Sequence, residues 1–181
     1  MAGLERKLSR KSPRSFATLR PGTPADLPVI EAMLFEAFFW SPTYERPGFD
    51  EFQEHPEFQK LVADWGRPGD RVIIAECQGQ PVGAAWYRFW TEACHSYGFV
   101  DAGIPEVGMG VHPDYRGRGI GRSLLRHLLA EARRSGVAAL SLSVDPQNVA
   151  RQLYESEGFV KVGESGTSWT LLCRLEVSQV R

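Results

Sequence analysis

The sequence is short of several things, and each shortage narrows what the chain can be. Only three cysteines occur in 181 residues, Cys77, Cys94 and Cys173, odd in number and far apart. They form neither a disulfide framework nor a metal-ligand spacing, which fits a reducing compartment and a cytoplasmic protein. Only four histidines occur, His55, His95, His112 and His127, and none is spaced with a second ligand for metal. No metal is expected. No apolar run approaches the length of a membrane span, and no secretory apolar segment follows the basic N-terminus. No partner in the membrane is expected. A net charge of -1 gives no reason to expect nucleic acid either.

The charge is unevenly placed. Arg6, Lys7, Arg10, Lys11 and Arg14 crowd residues 1–14 against Glu5 alone, which leaves the remaining body near -5. Residues 1–14 read as a flexible basic tail. With 43% hydrophobic residues, 15–177 is long enough for one domain with a sizeable core.

Within that domain the elements alternate. SFATLRPG (15–22) reads as a strand ended by Pro-Gly, and Thr23-Pro24 as the cap of a helix running to about Phe39. Residues 40–49 read as a loop, and 52–65 as a second helix with a possible break at Pro56. Strands are expected at 72–77 and 82–90 around a Gln-Gly-Gln turn, and at 107–111. Residues 91–103 carry no clear signal. Ile120, Leu124, Leu125, Leu128, Leu129 and Ala132 form one helical face closed by Gly136. A strand at 138–144, a short helix from 145–148 to Gly158, and strands at 159–162 and 168–177 follow. The order is that of an α/β (α+β) fold, a mixed and mostly antiparallel sheet flanked by helices.

The stretch HPDYRGRGIGR places Gly117, Gly119 and Gly121 at the start of the most regular helix, among Arg116, Arg118 and Arg122. A helix start exposes unpaired backbone N–H groups and the positive end of the helix dipole, which together attract an anion. Glycine lets the chain curl and lets a phosphate approach without a Cβ in the way. The backbone should grip, with the arginines at the rim. No Gly-Lys-Ser/Thr follows for a P-loop, and the G-x-G-x-G spacing is not that of a dinucleotide fold.

Residues 111–121 (VHPDYRGRGIG) resemble the acyl-CoA-binding motif of the Gcn5-related N-acetyltransferase (GNAT) superfamily, with Arg116, Gly119 and Gly121 at its three marked positions. DPQNVARQLYESEGF (145–159) is similar to the family's second motif, an Asn followed by a Leu-Tyr helix that ends in Gly-Phe. The resemblance covers about 15–177. It implies the GNAT fold and an acetyl-CoA-dependent N-acetyltransferase, with a small-molecule amine or a protein amino group as acceptor and direct attack in a ternary complex. A non-catalytic acyl-CoA binding or sensing module on the same scaffold is the alternative.

The resemblance also implies a site. Met109, Gly110 and Val111 would meet the pantetheine of coenzyme A where two parallel strands splay, with Gly108 and Gly110 helping to open that edge. Gly117, Arg118, Gly119, Ile120, Gly121 and Arg122 would hold the diphosphate, with Arg116 beside them. Asn148 would direct its amide to the pantetheine or to the next strand. The backbone N–H groups of Gly110 and Val111 are the expected oxyanion donors. Glu106 is the preferred base, with Asp101 and Glu36 as substitutes, and the competing reading of Glu106 is a solvated residue after Pro105. Tyr154 is the expected general acid, its phenol neutral at pH 7. His112 reads as a loop residue. Phe35, Phe38, Phe39, Trp40 and Tyr44, with Trp86, Trp90 and Tyr97, read either as core or as the wall of an acceptor pocket of apolar character. A homodimer is compatible with both the family and this aromatic surplus.

Overall fold

The computed structural model describes residues 17–176. The basic tail, and the ends of the first and last expected strands at Ser15, Phe16 and Val177, lie outside them. Seven strands form one sheet in the order β1-β2-β3-β4-β5-β7-β6. They are β1 (Thr18–Pro21), β2 (Arg71–Cys77), β3 (Gln80–Arg88), β4 (Glu106–Val111), β5 (Ala139–Val144), β6 (Val160–Ser165) and β7 (Ser168–Arg174). Every neighbouring pair is antiparallel except β4 and β5. Five helices flank the sheet: α1 (Leu27–Phe38), α2 (Phe49–Glu54), α3 (Pro56–Val62), α4 (Ile120–Arg134) and α5 (Ala150–Ser156).

The strongest local signals produce the elements expected of them. Gln78 and Gly79 both have positive φ, 53° and 75°, as a two-residue hairpin turn between β2 and β3 requires. Thr23 donates its N–H to Asp26 at 2.8 Å, but a 3-10 turn at Pro24–Asp26 precedes the α-helix proper. The expected helix at 52–65 is two short ones. Pro56 has no N–H and cannot continue α2, so the chain restarts there with His55 as cap, its Nδ1 accepting from the N–H of Glu57 at 3.2 Å.

Two apolar clusters lie on opposite faces of the sheet. Leu124, Leu125 and Leu128 of α4 pack with Ile73, Ala85, Leu140 and Leu171 on one face. Ile30, Met33 and Leu34 of α1 pack with Val72, Ile74, Ala84 and Trp86 on the other, with Phe52 and Phe58. Phe35, Phe38 and Phe39 each place a ring centroid 5.1 to 5.5 Å from that of Phe52, so this part of the aromatic surplus belongs to the second cluster.

The glycines of β4 serve close approach, as glycine within a strand often does. Both were expected to loosen the strand edge, yet β4 pairs in unbroken register with β3 through Trp86↔Gly108 and Ala84↔Gly110. A Cβ on Gly110 would lie 2.1 Å from the carbonyl oxygen of Met33, and one on Gly108 would lie 2.5 Å from the Trp86 ring. These glycines let α1 and the indole press against the strand.

Candidate active site

The parallel pair β4–β5 is joined at a single register point, Glu106↔Ser141, with the Ser141 N–H donating to the carbonyl of Pro105 at 3.1 Å. Beyond it the strands diverge. His112 donates to the Val82 carbonyl at 2.9 Å, and on an antiparallel ladder alternate residues bond the same neighbour. Glu106, Gly108 and Gly110 therefore turn their backbone groups to β3, while Val107, Met109 and Val111 turn theirs toward the gap. Of the two expected oxyanion donors, the N–H of Gly110 is committed to the β3 ladder and that of Val111 faces the opening.

A cavity of about 760 Å3 occupies the gap and runs from Glu106 to the start of α4. Of the residues singled out above as catalytic or cofactor-binding, all line it but Arg118 and the substitute base Asp101. At the α4 end Gly117 and Gly119 have φ of 72° and 83°, and an added Cβ at either meets nothing within 4 Å. The first helical bond there is from Ser123 N–H to the Gly119 carbonyl. The N–H groups of residues 117–122 have no acceptor among the described residues. The crook is a cradle of free amides.

The arginines around it are engaged. Arg116 donates to the carbonyls of Val111 (3.0 Å), Trp40 (3.3 Å) and Glu36 (3.2 Å), and pairs with the Glu36 carboxylate at 3.0 Å. It ties the end of α1 to the end of β4. Arg118 folds back on the preceding turn, donating to the Asp114 carbonyl at 2.8 Å with its guanidinium 5.0 Å from the Tyr115 ring centroid. Arg122 pairs with Glu157 at 2.6 Å. Asn148 accepts the Ala150 N–H at 2.9 Å, opening α5, and its amide N–H2 is the half left for a ligand.

At the other end Glu106 is buried, which sets aside its competing reading as a solvated residue after Pro105. Residues 91–103 fold over it, and the Gly98 N–H donates to Glu106 Oε1 at 2.8 Å. Gly98 presses so closely that a Cβ there would meet the β5 backbone at 2.5 Å. Glu106 Oε2 has no partner, and neither does the buried hydroxyl of Ser141, its register partner. Unpartnered polar atoms on both members of one register pair suit a bridging water. Burial pushes the Glu106 carboxyl up to about 7, against smaller downward pulls from Gly98, Ser96 and His95. Tyr154 lines the cavity from α5. Its hydroxyl has no partner among the described residues, and burial pushes the phenol up, so it stays protonated.

The remaining candidates separate. Glu36 lines the cavity but is held by both Arg46 and Arg116. Asp101 caps Gly103 at 2.8 Å, outside the cavity wall. His112 caps Asp114 N–H at 3.3 Å from the surface. Arg88, which the sequence gave no reason to single out, lines the cavity as a buried cation, 2% exposed. Among the described residues no cluster of three His, Cys, Asp or Glu side chains could hold a metal, and no helix is long and apolar enough to cross a membrane.

The sequence profile described as "Acetyltransferase (GNAT) family" matches residues 32–159, most of the chain. The chain belongs to the GNAT family. Its fold agrees with that of the acetyltransferase yncA from Salmonella typhimurium, solved with its cofactor acetyl-CoA, at a TM-score of 0.60 and 25% identity over 88% of this chain and 94% of that one. The [ribosomal protein bS18]-alanine N-acetyltransferase of Escherichia coli K12 is 52% identical over 50 residues, 27% of this chain and 34% of that protein. The L-amino acid N-acyltransferase MnaT of the same organism is 36% identical over 93 residues, 51% of each chain. The chain thus spans about a third to a half of the length of these curated relatives.

Proposed function

We propose that the protein is an acetyl-CoA-dependent N-acetyltransferase that acts on a primary amine, of a small molecule or of a protein, by direct attack in a ternary complex. The observation that carries the reading is the cavity itself, with a buried carboxylate at one end that has one unpartnered oxygen and a cradle of free amides at the other. Coenzyme A fits this shape. Its diphosphate suits the N–H groups of Gly117, Arg118, Gly119, Ile120, Gly121 and Arg122, which are charge-complementary and open. Its amide-bearing arm suits the free edge of Met109 and Val111, with Asn148 opposite. Gly110 serves by admitting α1, and Arg116 by fixing the loop beside the cradle.

Acetyl-CoA, when bound, supplies the activated acetyl group; the residues supply the rest. An alkylammonium has a pKa of about 10 and must lose a proton before it attacks. Glu106, poised near neutrality, accepts that proton directly or through a water held with Ser141. The Val111 N–H lies on the edge where oxyanion charge develops. Tyr154 donates its phenolic proton to the departing thiolate. Holding both reactants in one cavity is worth up to roughly 7–11 kcal/mol in well-oriented cases.

The test is thiol release on mixing the protein with acetyl-CoA and a panel of primary amines, beside calorimetry of acetyl-CoA alone. Tight acetyl-CoA binding with amine-dependent thiol release is expected. Binding with no turnover on any amine would move the assignment to a non-catalytic acyl-CoA module, and no binding would remove both readings. The bS18 and amino-acid enzymes named above show that the family accepts both protein and small acceptors, so the panel includes each kind.

A further inference from the structure

The Glu106 end of the cavity carries information about the amine. Its walls include Leu61 of α3, Trp86 of β3, Trp90 and Tyr97. Two charged side chains reach this end. Arg88 is ion-paired and held: its terminal nitrogens donate to the carbonyls of Leu61 and Ala63 at 2.6 and 2.9 Å and to Asp70 at 3.2 Å, and its buried Nε alone lacks a partner. The indoles of Trp65 and Trp90 flank it, with centroids 5.4 and 5.2 Å from the guanidinium carbon. Turning that guanidinium toward a ligand would take from Asp70, only 3% exposed, its nearest cation, leaving it the N–H groups of Gly66 and Arg67 and the Arg67 guanidinium at 4.0 Å. Farther along, Arg116 is held by four acceptors. Glu106 is the unmatched charge.

A ligand carboxylate next to the reacting nitrogen would therefore lose its water beside aromatic walls, meet among the described lining residues only arginines already paired with carboxylates, and face Glu106. An ammonium on an apolar body meets the reverse: a carboxylate for its charge and rings for its carbon. Two hydrogen bonds also tie wall residues of the cavity to neighbouring elements. Tyr44 donates its hydroxyl to Asp145 at 3.2 Å, linking the loop after α1 to the loop after β5. Tyr97 donates to Glu57 at 2.9 Å, linking the 91–103 segment to α3. An extended peptide needs an open channel and a free strand edge, and the free edge here is the one suited to pantetheine. A compact molecule suits the space.

Resting on the acetyltransferase reading, we infer that the acceptor is a small primary amine with an aromatic body and no carboxylate on the carbon that bears the nitrogen. The site is thus set against the free amino acids that the MnaT relative is named for.

The experiment compares phenethylamine, phenylalanine amide, phenylalanine, spermidine and a tripeptide amide beginning with phenylalanine. Two readouts are taken: binding to the CoA-loaded protein by tryptophan fluorescence, and thiol release with acetyl-CoA. Phenethylamine and phenylalanine amide should bind at least ~30-fold more tightly than phenylalanine, the isostere that differs from the amide by its charge. Tyr97→Ala should weaken phenethylamine at least ~5-fold and leave acetyl-CoA binding unchanged. Equal binding of phenylalanine and its amide overturns the inference, as does spermidine or the tripeptide outranking phenethylamine. If the preference is found without thiol release, the pocket chemistry stands and acetyl transfer falls. Thiol release without the preference does the opposite.

Discussion

Gly98 donates its N–H to Glu106 Oε1 at 2.8 Å, while Glu106 Oε2 lies buried with no partner. One oxygen is positioned and the other left available, the division a base needs. The carboxyl, raised to about 7 by burial, is then half ionised near neutrality. The rate should rise with pH through that value and level above it. Glu106→Gln keeps the shape and the Gly98 bond but cannot take a proton. Its kcat/KM should fall about 100-fold or more, and the limb near pH 7 should vanish from the profile. A variant that keeps both the limb and the rate would remove Glu106 from the mechanism.

The same carboxyl affects stability in the opposite sense. Its folded pKa of about 7 lies above the ordinary 4.5, so the unfolded chain gives up this proton first as pH rises. Its contribution is fully present below pH 4.5 and is lost as pH climbs toward 7. The loss is of the order of 3 kcal/mol at pH 8. Glu106→Gln should therefore be more stable than the parent at pH 8, with the difference shrinking by pH 4.5. Urea titrations at the two pH values measure this.

What could be read from the chain, and what could not, follows from how far each signal reaches. Gly117, Gly119 and Gly121 against a leucine-periodic helix announce the cradle because turn and helix start are set by near neighbours. Gln78-Gly79 announces the hairpin for the same reason. Gly110 looked like a looseness in β4, because the helix that needs its missing Cβ lies some 75 residues earlier at Met33. The burial of Glu106, the preferred base, could not be read locally because the segment that covers it has no periodicity of its own. Arg116 reads locally as a rim arginine, and its ties to Glu36 and Trp40 come from across the sheet, beyond the reach of a local signal. Arg88 escaped notice altogether, since its partners come from α3, the residues after it and Asp70.

Two glycine substitutions separate packing from ligand contact. Gly110→Ala would place a methyl 2.1 Å from the Met33 carbonyl, a rigid backbone atom, so α1 must shift. A stability loss of about 1–3 kcal/mol or more is expected. Gly117→Ala meets open space and costs only its positive φ of 72°, about 1–2 kcal/mol. That methyl stands in the cradle, however, so acetyl-CoA affinity should fall more for Gly117→Ala than stability alone would suggest. Denaturant melts beside acetyl-CoA calorimetry distinguish them, and an unchanged affinity in Gly117→Ala would take the diphosphate out of the crook.

Tyr154 offers a change of one atom. Its ring packs edge-on to Phe159 at 5.9 Å, which phenylalanine would preserve, while its unpartnered hydroxyl is what the cavity sees. Tyr154→Phe should therefore melt within about 1 kcal/mol of the parent and bind acetyl-CoA as well. Turnover should drop about 10²-fold, the lower range for a lost general acid. Using a thioester whose thiol is more acidic should restore part of that rate, since a better leaving group needs the proton less. Full activity in Tyr154→Phe, or a loss of affinity equal to the loss of rate, would assign the hydroxyl to packing or binding.

The Arg88–Asp70 pair, both side chains at most 3% exposed, separates its electrostatic role from its packing role. Removing one charge leaves the other stranded in the interior, so Asp70→Asn should cost about 3–5 kcal/mol, read as a lowered urea midpoint. Removing both, as Arg88→Met with Asp70→Asn, relieves the stranded charge and should recover part of that loss. Recovery cannot be complete. The carbonyls of Leu61 and Ala63 accept from Arg88 at 2.6 and 2.9 Å, and methionine gives them nothing. Those two carbonyls end α3, the helix that supplies Leu61 to the cavity wall, so the double variant should fold and yet hold aromatic amines more weakly. A double variant as stable as the parent would mean that Arg88 does not fasten α3 to the sheet.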